Sequence, residues 1–251
     1  MKAMILAAGL GTRLRPLTDD RPKALVEIDG RTLLEIALSR LRAFGVQDVI
    51  INVHHFANMV VDYLKANDNF GIRIQISRED VLLDTGGGLK KAAWFFTDSA
   101  GRSGNDESFV LHNVDVLSTI DLGRMRKFHR ETQALATLAV QDRDTSRYLL
   151  FDEQSELCGR RAGRDQPSEL VRPAPHPRSW AFSGIHVISP RLFSLITEDG
   201  PFSIIMSYLR LASQGEKILA FRADQYYWRD LGRPENVAQV ARDLKQRVIE
   251  Q

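Results

Sequence analysis

Over its first 130 or so positions the chain alternates short runs of consecutive apolar residues with segments whose apolar residues recur three and four apart. Runs of that kind suit strands buried on both faces, and the recurrence suits amphipathic helices packed on them, so βαβ units around a mostly parallel sheet are expected. Residues 4–8, 49–53, 72–76 and 109–112 read as strands. Leu33, Leu34, Ile36, Ala37, Leu38, Leu41 and Phe44 form one helical stripe. Thr32 stands where an N-cap belongs, Glu35 three residues later completes a capping box, and Gly45 fits a C-cap. After a glycine run at 86–88, Leu89, Ala92, Ala93 and Phe96 predict a further helix.

Beyond Leu135 the pattern becomes β-rich, with strands expected at 135–140, 148–151 and 180–188. The polar or proline-punctuated stretches 142–147 and 160–178 read as loops bordering a cleft. A last helix is expected from Pro234 to about Arg247, its proline in the first turn.

The first apolar run ends in Gly9 and Gly11, and three cations, Arg13, Arg15 and Lys23, follow closely. Glycine admits positive φ and brings backbone N–H groups near an anion, while guanidinium and ammonium groups neutralise phosphate charge. The loop is therefore a candidate polyphosphate cradle. A Walker loop is excluded, because its four-residue glycine spacing and Lys-Ser/Thr pair are missing. A dinucleotide fingerprint fits Gly9, Gly11 and the acid Asp29, but Leu14 stands at its third glycine, and two arginines and a lysine would be superfluous there.

The 251 residues carry 34 basic and 32 acidic side chains, a formal charge of +2, so no nucleic-acid partner is implied. An apolar content of 43% and a charged content of 26% are those of a soluble globular protein. The single cysteine, Cys158, rules out an internal disulfide and suits a reducing compartment. With no secretory leader pattern and no apolar stretch of the ~18 residues that would span a bilayer, a cytoplasmic location without a membrane partner is expected.

The stretch from Gly9 to Thr18, Gly-Leu-Gly-Thr-Arg-Leu-Arg-Pro-Leu-Thr, followed by Arg21-Pro-Lys-Ala-Leu25, resembles the signature of the sugar-1-phosphate nucleotidylyltransferases. Asp84-Thr-Gly-Gly-Gly88, Asn113-Val-Asp115, Phe182-Ser-Gly-Ile-His186 and Trp228-Arg-Asp-Leu-Gly-Arg-Pro-Glu235 follow in that family's order. The resemblance implies a single Rossmann-like three-layer α/β/α domain over 1–251, with a mixed, mostly parallel sheet. About 1–133 would form its nucleotide half and about 134–251 its sugar half. The substrates would be a nucleoside triphosphate and a sugar 1-phosphate, the product would serve cell-envelope or polysaccharide synthesis, and the protein would be a monomer or homodimer.

Carried over residue by residue, the family pattern makes Arg13 and Lys23 catalytic. Leu6, Ala7, Ala8, Gly9, Gly11, Thr12 and Arg13 would hold the nucleotide with Asp84, Thr85, Gly86 and Gly87, whose loop would expose N–H groups to the base. Asn113, Arg172 and Gly184 would contact the sugar. Asp115 and Asp230 would share Mg²⁺ with the triphosphate. Two departures stand out. Val114 replaces a glycine and Val171 replaces a glutamate. They leave room for a silent nucleotide-sugar-binding subunit, and the aromatics Trp180, Phe182, Tyr226, Tyr227 and Trp228 leave room for a phosphocholine cytidylyltransferase with a cation cage.

Overall fold

The computed structural model of the chain describes residues 1–97 and 107–245. From the N-terminus come β1 (Lys2–Leu6), the short hairpin β2 (Glu27–Ile28) and β3 (Arg31–Thr32), α1 (Leu33–Ala43), β4 (Asp48–Val53), α2 (Ala57–Ala66), β5 (Arg73–Arg78) and α3 (Asp84–Lys91). The middle of the chain adds β6 (Phe109–Asn113), β7 (Val116–Ser118), α4 (Leu122–Thr132), β8 (Ala136–Gln141), β9 (Tyr148–Phe151), β10 (Leu157–Arg161), β11 (Ser168–Leu170) and β12 (Arg178–Ile188). It closes with α5 (Leu192–Leu195), α6 (Ile204–Ser213), β13 (Ile218–Arg222), β14 (Trp228–Asp230) and α7 (Pro234–Lys245).

The helical stripe of α1 ends as its sequence predicts. Thr32 accepts the amide of Glu35 at 3.1 Å. At the other end Gly45, at φ +75°, donates to Arg42, and Val46 donates to Leu41. That pair of bonds is a Schellman cap, which satisfies carbonyls the helix cannot. Only half of the capping box forms, because the Glu35 carboxylate is taken by Arg31 at 2.8 Å.

The central sheet is mixed. β5, β4, β1 and β6 run parallel in that order, β12 lies antiparallel to β6, and β8, parallel to β13, lies along the other flank of β12. The N-terminal part of β12 also pairs with β9, which carries β10 and β11 outward. Alternation along the buried strands divides the side chains between two cores. Ala3, Ile5, Val49 and Ile51 meet α1, α2, α4 and α7, whereas Met4, Ile50, Phe109 and Leu111 meet α3, α5 and α6. Helices thus cover both faces, in three layers.

The chain winds outward from β1 to β4 and β5, then returns to place β6 on the other side of β1. This reversal opens a crevice beyond the carboxyl ends of β1, β4 and β6, where open α/β sheets take their ligands.

The structure corrects two expectations and leaves part of a third outside the described residues. The glycines at 86–88 lie inside α3, which starts at Asp84 and ends at Lys91. Strands β10 and β11 occupy part of the stretch read as loop, paired through Gly159, Arg160 and Arg161. The last helix runs to Lys245, and its expected final residues, 246–247, lie outside the described residues.

Candidate active site

A cleft of about 400 Å³ fills the crevice. One wall is the end of β1, Leu6 to Gly9, and another is Asn113, Val114 and Asp115 beyond β6. Asp84, Thr85, Leu82 and Pro201 close the far side. Two buried polar residues tie these walls together. Asn52 accepts the amide of Ala7 at 2.8 Å and donates to Glu79 at 2.7 Å, and the other oxygen of Glu79 accepts the amide of Leu83 at 3.0 Å. Only 2% of Asn52 and 4% of Glu79 is exposed. Removing either partner would strand a buried polar group, so the relay fixes the spacing between β1 and the segment entering α3.

The glycine and cation loop folds over the mouth of this cleft. Gly11 takes φ +67°, and a Cβ there would stand 3.0 Å from Thr18 and 3.2 Å from Lys23, so only glycine lets the loop close. Thr18 secures the closure by donating to the Gly11 carbonyl at 2.9 Å. One 3₁₀ turn, Thr12–Leu14, buries Leu14 and leaves Arg13 exposed, without a hydrogen bond or ion pair among the described residues. Arg15 points elsewhere and pairs with Asp19 on the surface. Pro22 is extended, at φ −70° and ψ 150°, and delivers Lys23 into a second 3₁₀ turn anchored by Ala24 and Leu25. The Lys23 ammonium reaches across to the Asp115 carboxylate.

Asp115 and Asp230 are brought together by a two-stranded ribbon outside the main sheet. β7 and β14 pair antiparallel, with Val116 opposite Asp230, and the amide of Leu231 donates to the Asp115 carbonyl at 2.7 Å. At the ribbon's end Gly232 donates to the Asp230 carboxylate at 2.7 Å. A Cβ on Gly232 would be 2.8 Å from that carboxylate, 2.9 Å from Arg13 and 3.3 Å from Lys23. Arg13, Lys23, Asp115 and Asp230 therefore converge on one spot. Each aspartate keeps one oxygen without a hydrogen-bond partner among the described residues.

Val114 causes no distortion here. Its φ is not positive, it donates to the Leu6 carbonyl at 3.1 Å, and its side chain is buried in the core beside the cleft. The β-branched residue sits in backbone that any L-residue adopts.

Other expected site residues have different surroundings. Gly86 and Gly87 both donate to the Phe202 carbonyl, at 2.8 and 3.3 Å, so those N–H groups are not free to read a base. A Cβ on Gly86 would fall 2.2 Å from the Phe202 ring, and one on Gly87 would fall 2.4 Å from the Gly200 carbonyl. These glycines admit the 200–202 segment rather than a planar ligand. Asp84 and Thr85 do line the cleft. Arg172 is held by Asp152 and Glu156 at the β9–β10 turn and does not line the cleft. Gly184, at φ +75°, lets the β12 bulge approach Asn113, whose side chain would be 3.0 Å from a Cβ there.

The five aromatics do not assemble a cation cage. Trp180 stacks on Phe151, Tyr227 donates to Asp243 at 2.5 Å, and the Trp228 face is covered by the Arg143 guanidinium at 3.6 Å. Cys158 is buried, its thiol pushed up to about 11 by desolvation, which makes it inert. Sequence reasoning missed Asn52 and Glu79, which line the cleft. Asn52 did leave a signal, since it is a polar residue in the otherwise apolar run Val-Ile-Ile-Asn-Val.

Residues 2–247 match the nucleotidyl transferase family. The chain belongs to that family. It is 33% identical over 236 residues to an N-acetylmuramate alpha-1-phosphate uridylyltransferase of Caulobacter vibrioides, covering 93% of this chain and 92% of the relative. A UTP–glucose-1-phosphate uridylyltransferase of Synechocystis is 28% identical over 273 residues, 99% of this chain, which spans 64% of that longer relative. The fold is shared with a putative glucose-1-phosphate thymidylyltransferase of Bacillus anthracis, at a TM-score of 0.78 and 19% identity over 100% of this chain and 97% of that one. The resemblance to the sugar-1-phosphate nucleotidylyltransferases drawn from the sequence is upheld. No described helix is long and apolar enough to cross a membrane.

Proposed function

We propose that the cleft transfers a nucleotidyl group from a nucleoside triphosphate to a sugar 1-phosphate, releasing pyrophosphate. The observation that carries this reading is the meeting of Arg13, Lys23, Asp115 and Asp230 around Gly232, at the mouth of a cleft on the carboxyl edge of a parallel sheet. An oxygen of the sugar phosphate attacks the α-phosphorus and the bond to pyrophosphate breaks. Little covalent work falls to the protein, so positioning and charge neutralisation supply most of the rate.

The residues divide the task by location. Leu6 to Gly9, with Asp84 and Thr85, bound the space for the nucleoside. Arg13, exposed and without a partner among the described residues, is free to meet the departing pyrophosphate. Lys23 serves the α-phosphate or the attacking phosphate. Asn113, beside the Gly184 bulge, faces the sugar half.

The residues present fit Mg²⁺. Asp115 and Asp230 each retain an oxygen without a hydrogen-bond partner among the described residues, and no group of three ligating side chains occurs among those residues. Two hard carboxylate donors with substrate oxygens and water making up the rest is a set that Mg²⁺ accepts. When bound, the ion supplies charge neutralisation on the phosphates.

The relative matched over nearly its whole length points to UTP and N-acetylmuramate 1-phosphate as the first pair to test. Pyrophosphate release should be scored for UTP, GTP, CTP, ATP and dTTP against N-acetylmuramate, N-acetylglucosamine, glucose and mannose 1-phosphates with Mg²⁺. Release with at least one pair is expected. Silence with every pair, from a folded protein that still binds nucleotide, would replace the enzyme with a binding subunit.

A further inference from the structure

Arg143 follows β8 and lies between Trp228 of β14 and Phe182 of β12. Its guanidinium lies 3.6 Å from the centre of the Trp228 ring, and one terminal nitrogen donates to the Phe182 carbonyl at 2.7 Å. Its Nε is fully buried and has no hydrogen-bond partner among the described residues. No carboxylate forms an ion pair with it among those residues. A partly buried guanidinium left without an anion is costly, because arginine is not relieved by losing its proton.

Its position points to what supplies the anion. Trp228 and Asp230 are two apart on β14, so their side chains share one face of the strand. Their backbones are about 7 Å apart along the strand, so the cation stacked on Trp228 neighbours the spot where Asp230, Arg13 and Lys23 converge. Phe182, which fixes one edge of the fork, is two residues before Gly184 and its contact with Asn113. Trp228 is itself held by a hydrogen bond from its indole to the Ser183 carbonyl at 2.7 Å, so the platform under the guanidinium is rigid. Burial lowers the proton affinity of Arg143, and the Asp230 charge acts against that shift. The group is held charged and ready, with its Nη1 unpaired among the described residues.

We infer that Arg143 is a substrate-binding residue of the sugar half, contacting an oxyanion on the sugar substrate through the free edge of its fork. This rests on the proposed nucleotidyl transfer. The oxyanion has two possible sources, the 1-phosphate that every such sugar carries or a carboxylate substituent that only acidic sugars carry. A planar fork stacked on indole suits either, since both present two oxygens to parallel N–H donors.

Steady-state kinetics on the Arg143→Gln and Arg143→Lys proteins separate the sources. N-acetylmuramate 1-phosphate has both anions, and N-acetylglucosamine 1-phosphate has only the phosphate. Arg143→Gln should raise the KM for the sugar phosphate by about 10- to 100-fold, the range of a lost charge-assisted hydrogen bond, while the KM for the nucleotide stays within about twofold. Arg143→Lys, which keeps a cation on the ring but loses the fork, should fall between. A rise with both sugars assigns the phosphate, and a rise confined to the muramate substrate assigns the carboxylate. Unchanged sugar KM values, or equal rises for sugar and nucleotide, would overturn the inference. If the parent protein releases no pyrophosphate from any pair, nucleotidyl transfer is what fails. Calorimetric titration of the parent and Arg143→Lys proteins with each sugar phosphate then still tests Arg143, and equal affinities would reject it.

Discussion

Lys23 and Asp115, 92 positions apart in the chain, form a hydrogen-bonded ion pair in which only 11% and 19% of the two side chains is exposed. So little water reaches the pair that neither charge is well solvated without the other. The same lysine borders the space around Gly232 together with Asp230 and Arg13, so the pair stands beside the second carboxylate and the cation of the glycine loop.

Replacing Arg13 or Lys23 by Ala should lower kcat by a factor of about 10² to 10³, the scale of removing one preorganised charge stabiliser. Circular dichroism should show each fold intact. Near-parental turnover in both proteins would move the catalytic cations elsewhere.

Asp115→Asn and Asp230→Asn should each remove most of the activity, as should EDTA on the parent, with recovery on adding Mg²⁺. Rates measured in chelated and metal-replete buffer decide this. Unchanged turnover in chelator would exclude the metal.

Glu79→Gln tests the relay between the walls of the cleft. A glutamine cannot accept from both Asn52 and Leu83 without turning its amide towards one of these donors. The KM for the nucleotide should rise by about tenfold or more while the KM for the sugar phosphate holds, because only the nucleoside walls lose their spacing. Varying each substrate separately gives the two values.

Gly87→Ala should act on stability rather than on base choice. Its Cβ would fall 2.4 Å from the Gly200 carbonyl, which is backbone and cannot swing aside. A loss of about 1–3 kcal/mol is expected, read as a lower Tm. A raised nucleotide KM at unchanged Tm would restore the glycines to the base pocket.

Stability should also fall in mild acid. Burial depresses His112 and His129 to about 4 and His186 to about 3, so all three are neutral in the folded protein at pH 7. The unfolded chain takes up their protons as pH falls through 6.5, and the folded chain cannot until pH nears 4. The Tm should be level above pH 7 and drop by about 5 to 10 °C between pH 6.5 and 4.5. Asn or Gln at these positions should flatten that slope.

The elements that pack on both sides of the sheet were legible because burial writes itself as apolar runs and helical stripes. The strands around Met4, Ile50 and Leu111 and the capped helix after Thr32 follow that logic. The tight turn of the glycine and cation loop was legible because its residues are contiguous, and Gly11 takes the positive φ that they imply. Strand β11 was not, since all three of its residues are exposed on an edge and carry no alternation. The glycines of α3 misled because a glycine needed for close packing looks, in sequence, like one needed for a ligand. The pairing of Arg172 was not legible, since its two carboxylate partners lie 16 and 20 residues away. The Asn52–Glu79 relay joins two strands, and no local pattern encodes such a contact.

The ribbon of β7 and β14 also sets an order of events in the life of the chain. Among the described residues β7 pairs only with β14, so the second aspartate and Gly232 join the first through a segment that begins at Trp228, more than 100 positions later. A chain emerging from the ribosome would lack the partner strand of β7, and with it the cluster around Gly232, until Trp228 to Gly232 follow. A fragment ending before Trp228 should therefore bind nucleotide yet leave it unspent.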